Sequence, residues 1–260
     1  MTPQDIERLK KQFNDYVFGY YSSDPDVDWN IRFKEAHTWQ VFENTIRIGH
    51  GLGLTGSDLL LAETIALLHD IGRFEQYKKY KTFYDSASEN HAKLGLAEIS
   101  RHDILSCCTP DEKRLIKQAI AHHNAMAIPD IDNEKALLFI KLIRDADKLD
   151  IWKVFLNYYH GEEKENISLI IGLPDTPAFS ESIVADLKQG RAARLTDMKT
   201  INDYKLIQLG WMFDLNFPVS FQIAKEWKIV ERLGQALPQT PEIEAVLKRA
   251  LDYVDLRAKG

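Results

Sequence analysis

The residues of this chain that could do chemistry together are histidines and aspartates. There are eight histidines: His37, His50, His69, His91, His102, His122, His123 and His160. His69 adjoins Asp70 near the end of SDLLLAETIALLHDIG, a run whose apolar residues crowd every helical face. A hydrogen-bonding or charged pair placed there has to be paired, satisfied or bound to a metal, because an isolated buried carboxylate costs several kcal/mol. In RDADKLD, helical spacing sets Asp145 and Asp147 on different faces. Asp147 shares its stripe with Ile140, Ile143 and Ile151, so it points inward with nothing to neutralise it and wants a cation. Asp145 lies beside Lys141 and Lys148 and reads as a solvated salt-bridge face. The same test favours His123, on the face of Ile116, Ala119 and Ile120, and keeps His122, on a mixed face, in reserve. His91 opens HAKLGLAEI, where Gly95 one turn on permits close helix approach. His37 stands on a mostly apolar stripe with Val41. His50, His102 and His160 have polar or glycine-rich surroundings and read as ordinary histidines.

Helices must position these groups. Thr2, Pro3 and Asp5 read as a capped helix start. Gly49 to Gly56 (GHGLGLTG) reads as a loop, after which Ser57 caps the apolar helix that ends in the doublet. A further helix covers roughly Asp111 to His123 and is closed by NAMAIPDIDN. Glu134 to Tyr159 runs without Pro or Gly, which is long for a globular helix unless it is central or kinked. Sustained alternation is absent, and β-branched clusters such as ISLIIG are short, so the fold class is all-α. No repeat and no Ser/Gly linker divides the chain. LPDTPAFS (173–180) is the best candidate break, and a last helix opens at Thr240-Pro241. The expectation is a single all-α domain over 1–260, with a C-terminal helical extension from about 160 to 260. The face of that last helix formed by Ile243, Val246, Leu247, Leu251 and Val254 could pack on its own core or serve an oligomer.

Of the 260 residues, 45% are hydrophobic and 28% charged, an ordinary globular balance that excludes a disordered chain. A net charge of −6 argues against a dedicated duplex-binding protein, which needs concentrated positive charge. No apolar run is long enough for a membrane span and the start is too polar for a secretory leader. With only the adjacent Cys107 and Cys108, a reduced, cytoplasmic protein is expected.

The order His37, His69-Asp70, Asp147, together with the strings LLHDIGRF, SENHAKLG, AIAHHN and DADKLD, resembles the HD superfamily of metal-dependent phosphohydrolases. The resemblance covers about residues 30 to 155 and implies an HD-domain, phosphodiesterase-like helical bundle. It further implies that His37, His69, Asp70 and Asp147 hold one divalent transition-metal ion. His91 and His123 resemble the branch with additional histidines and would hold a second ion, with Asp70 bridging. Fe, Mn, Co, Ni or Zn suit such ligands better than Ca. Two ions roughly 3.5–4 Å apart can share and activate a water for attack on phosphorus. Asp70 would then serve water activation, and the substrate would be a small phosphorylated molecule, with a nucleotide first in line. Lys148, directly after Asp147, matches a position that touches phosphate in nucleotide-directed relatives. Arg73, one turn after His69, could also reach the mouth of the site, and Arg144 could orient Asp147. Lys78, Lys79 and Lys81 with Tyr77, Tyr80 and Tyr84 read as a solvated loop or a substrate lid. The Gly-Tyr-Pro signature of cyclic-dinucleotide phosphodiesterases is missing: NAMAIPD follows the His pair instead. The same ligand types also suit a di-iron oxygenase resembling inositol oxygenase, or a non-catalytic metal-stabilised sensor or interaction module.

Overall fold

The computed structural model describes residues 1–161 and 172–259. Among the described residues every regular element is a helix. ISLIIG falls almost wholly outside them. The chain forms two compact units, Met1–Asp150 and Ile151–Gly260, and the division falls inside one long helix.

The first unit begins with α1 (Pro3–Phe18), whose N-terminus is closed by the reciprocal Thr2–Asp5 capping box. Its buried stripe, Ile6, Leu9, Phe13 and Val17, has the helical period, and the Phe13 ring meets Trp39 and Phe74 edge-on. Helix α2 (Pro25–Gly51) continues through Gly49 and His50, so the loop expected over the glycine-rich stretch is confined to residues 52–55. Gly49 is there for closeness: a Cβ would lie 2.9 Å from Leu59 Cδ1. The turn itself uses the positive φ of Gly53 and Gly56. Thr55, not Ser57, is the N-cap of α3 (Gly56–Leu68). Every residue from Leu61 to Leu68 in α3 is buried, as a helix apolar on all faces requires.

After a sharp turn at His69–Ile71, α4 (Gly72–Tyr80) packs against α5 (His91–Arg101). Helix α6 (Pro110–His122) carries a second capping box, Thr109–Glu112, and α7 (Glu134–Tyr159) is one unbroken helix. Tyr77 is buried against Phe83 while Lys78 and Lys79 belong to the last turn of α4, so the basic-aromatic stretch is largely helix. Both cysteines are free thiols.

The second unit holds the end of α7, then α8 (Glu181–Lys188), α9 (Ile201–Gly210), α10 (Pro218–Glu226), α11 (Ile229–Gln235) and α12 (Pro241–Arg257). The 173–180 stretch lies inside this unit as the approach to α8, where Asp203 of α9 accepts hydrogen bonds from Ser180. Trp152 is fully buried and donates its indole N–H to the Gln208 carbonyl. Helix α12 buries Ile243, Val246, Ala250 and Val254.

One contact sets the geometry of the first unit. A Cβ added to Gly72 would fall on the His91 carbonyl oxygen and the Gly95 backbone, with Gly95 Cα at 2.9 Å. Backbone atoms of two helices cannot yield as a flexible side chain can. Gly95 is more forgiving, since its Cβ would meet Gly72 N at 3.3 Å. Gly72→Ala should therefore cost more than about 3 kcal/mol, the upper end for overpacking, and Gly95→Ala clearly less. Urea unfolding of the two variants measures this, and equal stabilities would refute the close-approach argument.

Candidate metal centre

Five short stretches of chain meet around Asp70. Helix α2 supplies Lys34 and His37 from one face, three residues apart. The doublet His69-Asp70 sits where α3 stops, so its side chains leave the apolar packing of that helix and enter the centre. Gly72 then admits the start of α5, which brings in His91 as its first residue. His123 is the C-cap of α6. Asp147 and Asp150 lie one turn apart on α7.

The two oxygens of Asp70 face different ways. Oδ2 lies 3.0 Å from Lys34 Nζ, 3.4 Å from His37 Nε2 and 4.0 Å from His69 Nε2. Oδ1 lies 3.3 Å from His91 Nε2, 3.7 Å from His123 Nε2 and 3.4 Å from Arg73 Nε. Asp147 Oδ1 joins the first side, 3.2 Å from His37 Nε2 and 3.9 Å from His69 Nε2. Two triplets of buried ligand atoms result, His37–His69–Asp70 and Asp70–His91–His123, each with its atoms within 4.8 Å of one another. Asp70 belongs to both.

Each imidazole is oriented through its other nitrogen. His69 Nδ1 donates to the Ala66 carbonyl and His123 Nδ1 to that of Ile120, both at 2.7 Å. His37 Nδ1 donates to Asp150 Oδ2 at 2.6 Å, and His91 Nδ1 to Asp85 Oδ2 at 2.7 Å. With Nδ1 donating, all four rings turn Nε2 toward the centre; in His37 that nitrogen also keeps a proton, shared with Asp147 and Asp70. His69 Nε2 is buried with no hydrogen-bond partner, and His91 Nε2 and His123 Nε2 face one another at 2.9 Å. An orphaned buried acceptor and opposed lone pairs are unfavourable unless a cation lies among them. The residues present therefore fit one or two divalent transition-metal ions, and nitrogen with carboxylate ligands is the set such ions prefer.

The electrostatics agree. Burial pushes His69 down to about 4, and burial with the nearby Arg73 charge pushes His91 down to about 3, so both rings are neutral ligands at pH 7. Burial opposes ionisation of Asp70, yet the charges of Lys34 and Arg73 hold its carboxyl well below the usual range. His37 goes the other way: burial and Lys34 would lower it, but hydrogen bonds to Asp147, Asp150 and Asp70 raise it to about 10. Three carboxylates, those of Asp70, Asp147 and Asp150, lie within 3.4 Å of His37, and this negative charge makes the site able to hold a cation.

Residues 35–152 match the family model of the HD domain. The chain carries an HD domain. No curated protein and no solved structure gives a significant match.

Within this HD domain the geometry sorts the residues singled out above. His37, His69, Asp70, His91, His123 and Asp147 converge. His122 does not: it is half-buried outside both triplets, and its carbonyl lies 3.5 Å from Arg144 Nη1. Arg144 Nη1 donates to the carbonyls of His123 and Ala125 and so closes the end of α6. Asp145 is a correction, because it is fully buried rather than solvated. Arg73 does reach the centre, but its Nη1 is already bonded to Gln76 Oε1, the Phe83 carbonyl and Asp85 Oδ1. Lys148 is half-buried and engaged. His50, His102 and His160 stand outside the HD centre, with His102 beside Glu98 at 3.5 Å.

Sequence reasoning missed three groups. Lys34 is one turn before His37 and Asp150 one turn after Asp147, so both shared a helical face with a residue already chosen. Asp85 had no such signal, because it sits in a short 3-10 turn (Asp85–Ala87) between α4 and α5.

A cation that binds only the folded chain stabilises it by mass action, by about 2.7 kcal/mol at a concentration a hundred times its dissociation constant. Thermal unfolding of chelator-treated protein should thus shift upward on adding Mn or Zn, and Asp70→Ala should remove the shift. An unmoved midpoint in the wild-type protein would count against a metal centre here.

Proposed function

We propose that the chain is a metal-dependent phosphohydrolase that cleaves a phosphoester or phosphoanhydride bond of a small phosphorylated substrate, with a nucleotide as the first candidate. The observation that supports this best is the division of Asp70, one oxygen toward His37 and His69, the other toward His91 and His123. HD domains are mostly metal-dependent hydrolases, and this one gathers five buried histidines and aspartates in two groups that could each hold an ion, with Asp147 beside the first. In the reading offered here, His37, His69, Asp70 and Asp147 hold one ion, and His91, His123 and Asp70 the other. Such ions, when bound, acidify a water toward neutrality and offset charge on phosphoryl oxygens.

The chain's own residues do the rest. Asp150, Asp85 and the helix carbonyls of Ala66 and Ile120 keep four Nε2 atoms aimed inward, so the ring angles need no change when the centre is loaded. Lys34 and Arg73 bracket Asp70 and add positive charge beside the ligands, where a phosphate would meet it. Lys148 follows Asp147 on α7 and is assigned to substrate binding together with Arg73. Neither a nucleophilic side chain nor a covalent intermediate is required.

The experiment is phosphate release from a panel of nucleotides, sugar phosphates and phosphodiesters with Mn, Co, Ni, Fe or Zn added to metal-free protein. Hydrolysis of at least one substrate is expected, falling to background in Asp70→Ala and less steeply in Lys148→Ala. Oxygen uptake by the as-purified iron form, with no phosphate release under any metal, would replace this reading with an oxygenase. Folded protein that binds ions but turns over nothing would point to a sensor module.

A further inference from the structure

The four imidazoles of the centre are not held alike. His69 and His123 are fixed by carbonyls of their own helices, and His37 by Asp150, whose side chain is 2% exposed on α7. His91 depends on Asp85, which lies outside the α-helices and has a side chain 30% exposed. Asp85 also gathers the surrounding donors. Its Oδ1 accepts from Arg73 Nη1 and Gln76 Nε2, both at 2.9 Å, and its Oδ2 accepts from Asn124 Nδ2 at 3.2 Å. Gln76 Nε2 further bonds Ser88 Oγ and the Glu89 carbonyl at 2.9 Å, which ties the 81–90 connection to α4. One partly exposed carboxylate thus joins the α4–α5 connection, the end of α6 and the ring of His91.

We infer that Asp85 is a positioning residue for the His91–His123 half of the centre, and that it makes the two cation positions unequal: the His37–His69 position fills first and the His91–His123 position second. The inference rests on the metal-centre reading above. The physical reason is the cost of orienting the ligands. On the first side the partners lie in helices that are already ordered and buried, so the ring angles are set before an ion arrives, which then has only to displace the His37 Nε2 proton. On the second side the Nδ1 proton and ring angle of His91 are set by a carboxylate in a connection that is held by side-chain hydrogen bonds. Water competes with such bonds, and opening of short exposed segments is less costly than opening of core helices. When Asp85 lets go, the His91 proton can move to Nε2, and that nitrogen no longer offers a lone pair. Neutralising Asp85 should weaken the second position and spare the first.

Mn(II) alone is the probe, titrated into chelator-treated full-length protein and followed by electron paramagnetic resonance, which separates isolated from exchange-coupled ions. Wild-type protein should fill in two resolved steps, with isolated Mn(II) in the first and a coupled pair in the second. Asp85→Asn should leave the first step in place and weaken the second by roughly 10–100-fold, the usual effect of losing a ligand's orienting partner. Asp85→Glu should recover part of it. His91→Ala, which does not depend on the fold of the Asp85 variants, should keep the first step and lose the coupled signal. A purely structural role for Asp85 would weaken both steps together, and that result overturns the inference. So does a single-step filling of the wild-type protein, or loss of the first step in His91→Ala. No Mn(II) binding at all would instead remove the metal centre itself, a distinguishable failure.

Discussion

A buried carboxylate with both oxygens in use governs this HD domain. Asp70 is 3% exposed and sits among four imidazoles, a lysine and an arginine. Taking such a charge out of water costs several kcal/mol unless it is compensated from every side. Lys34 compensates one oxygen and Arg73 the other. The compensation is incomplete in one respect, because His69 Nε2 still lacks a partner. The arrangement is thus half of an ionic structure, with ligands placed and oriented for positive charge between them.

The rest of the first unit can be understood as the means of bringing that carboxylate its neighbours. The doublet has to end a helix: inside α3 its side chains would point into apolar packing. Gly72 has to follow closely, because the backbone of α5 passes through the space a Cβ would take, and His91 rides on that passage. Long helices carry the remaining ligands. Helix α2 holds Lys34 and His37 on one face, and α7 holds Asp147 and Asp150 on another, so each ligand arrives with a group that compensates or orients it. Arg144 closes the carbonyl end of α6 and thereby fixes the place of His123. The helix end would otherwise bury carbonyls without donors.

Much of this was legible from local rules. The capped start at Thr2, the unbroken run from Glu134 to Tyr159 and the all-apolar helix before the doublet follow from propensity and period alone. The glycine-rich stretch misled, since Gly49 and Gly51 serve helix approach and a helix end rather than a loop. Asp145 misled for a related reason. Two lysines at helical spacing argue for a solvated face only when that face is free, and here it is packed.

What the amino-acid order determined by itself is which groups can bind a cation and which helices carry them, because residue type and the 3.6-residue period are local properties. Which nitrogen of each ring faces the centre was decided only in three dimensions, by Asp150, Asp85 and two helix carbonyls. So was the rescue of Asp70 by Lys34. The Asp150–His37 and Lys34–Asp70 contacts join side chains far apart in the chain, and their energies depend on distances of a few ångströms that only packing sets.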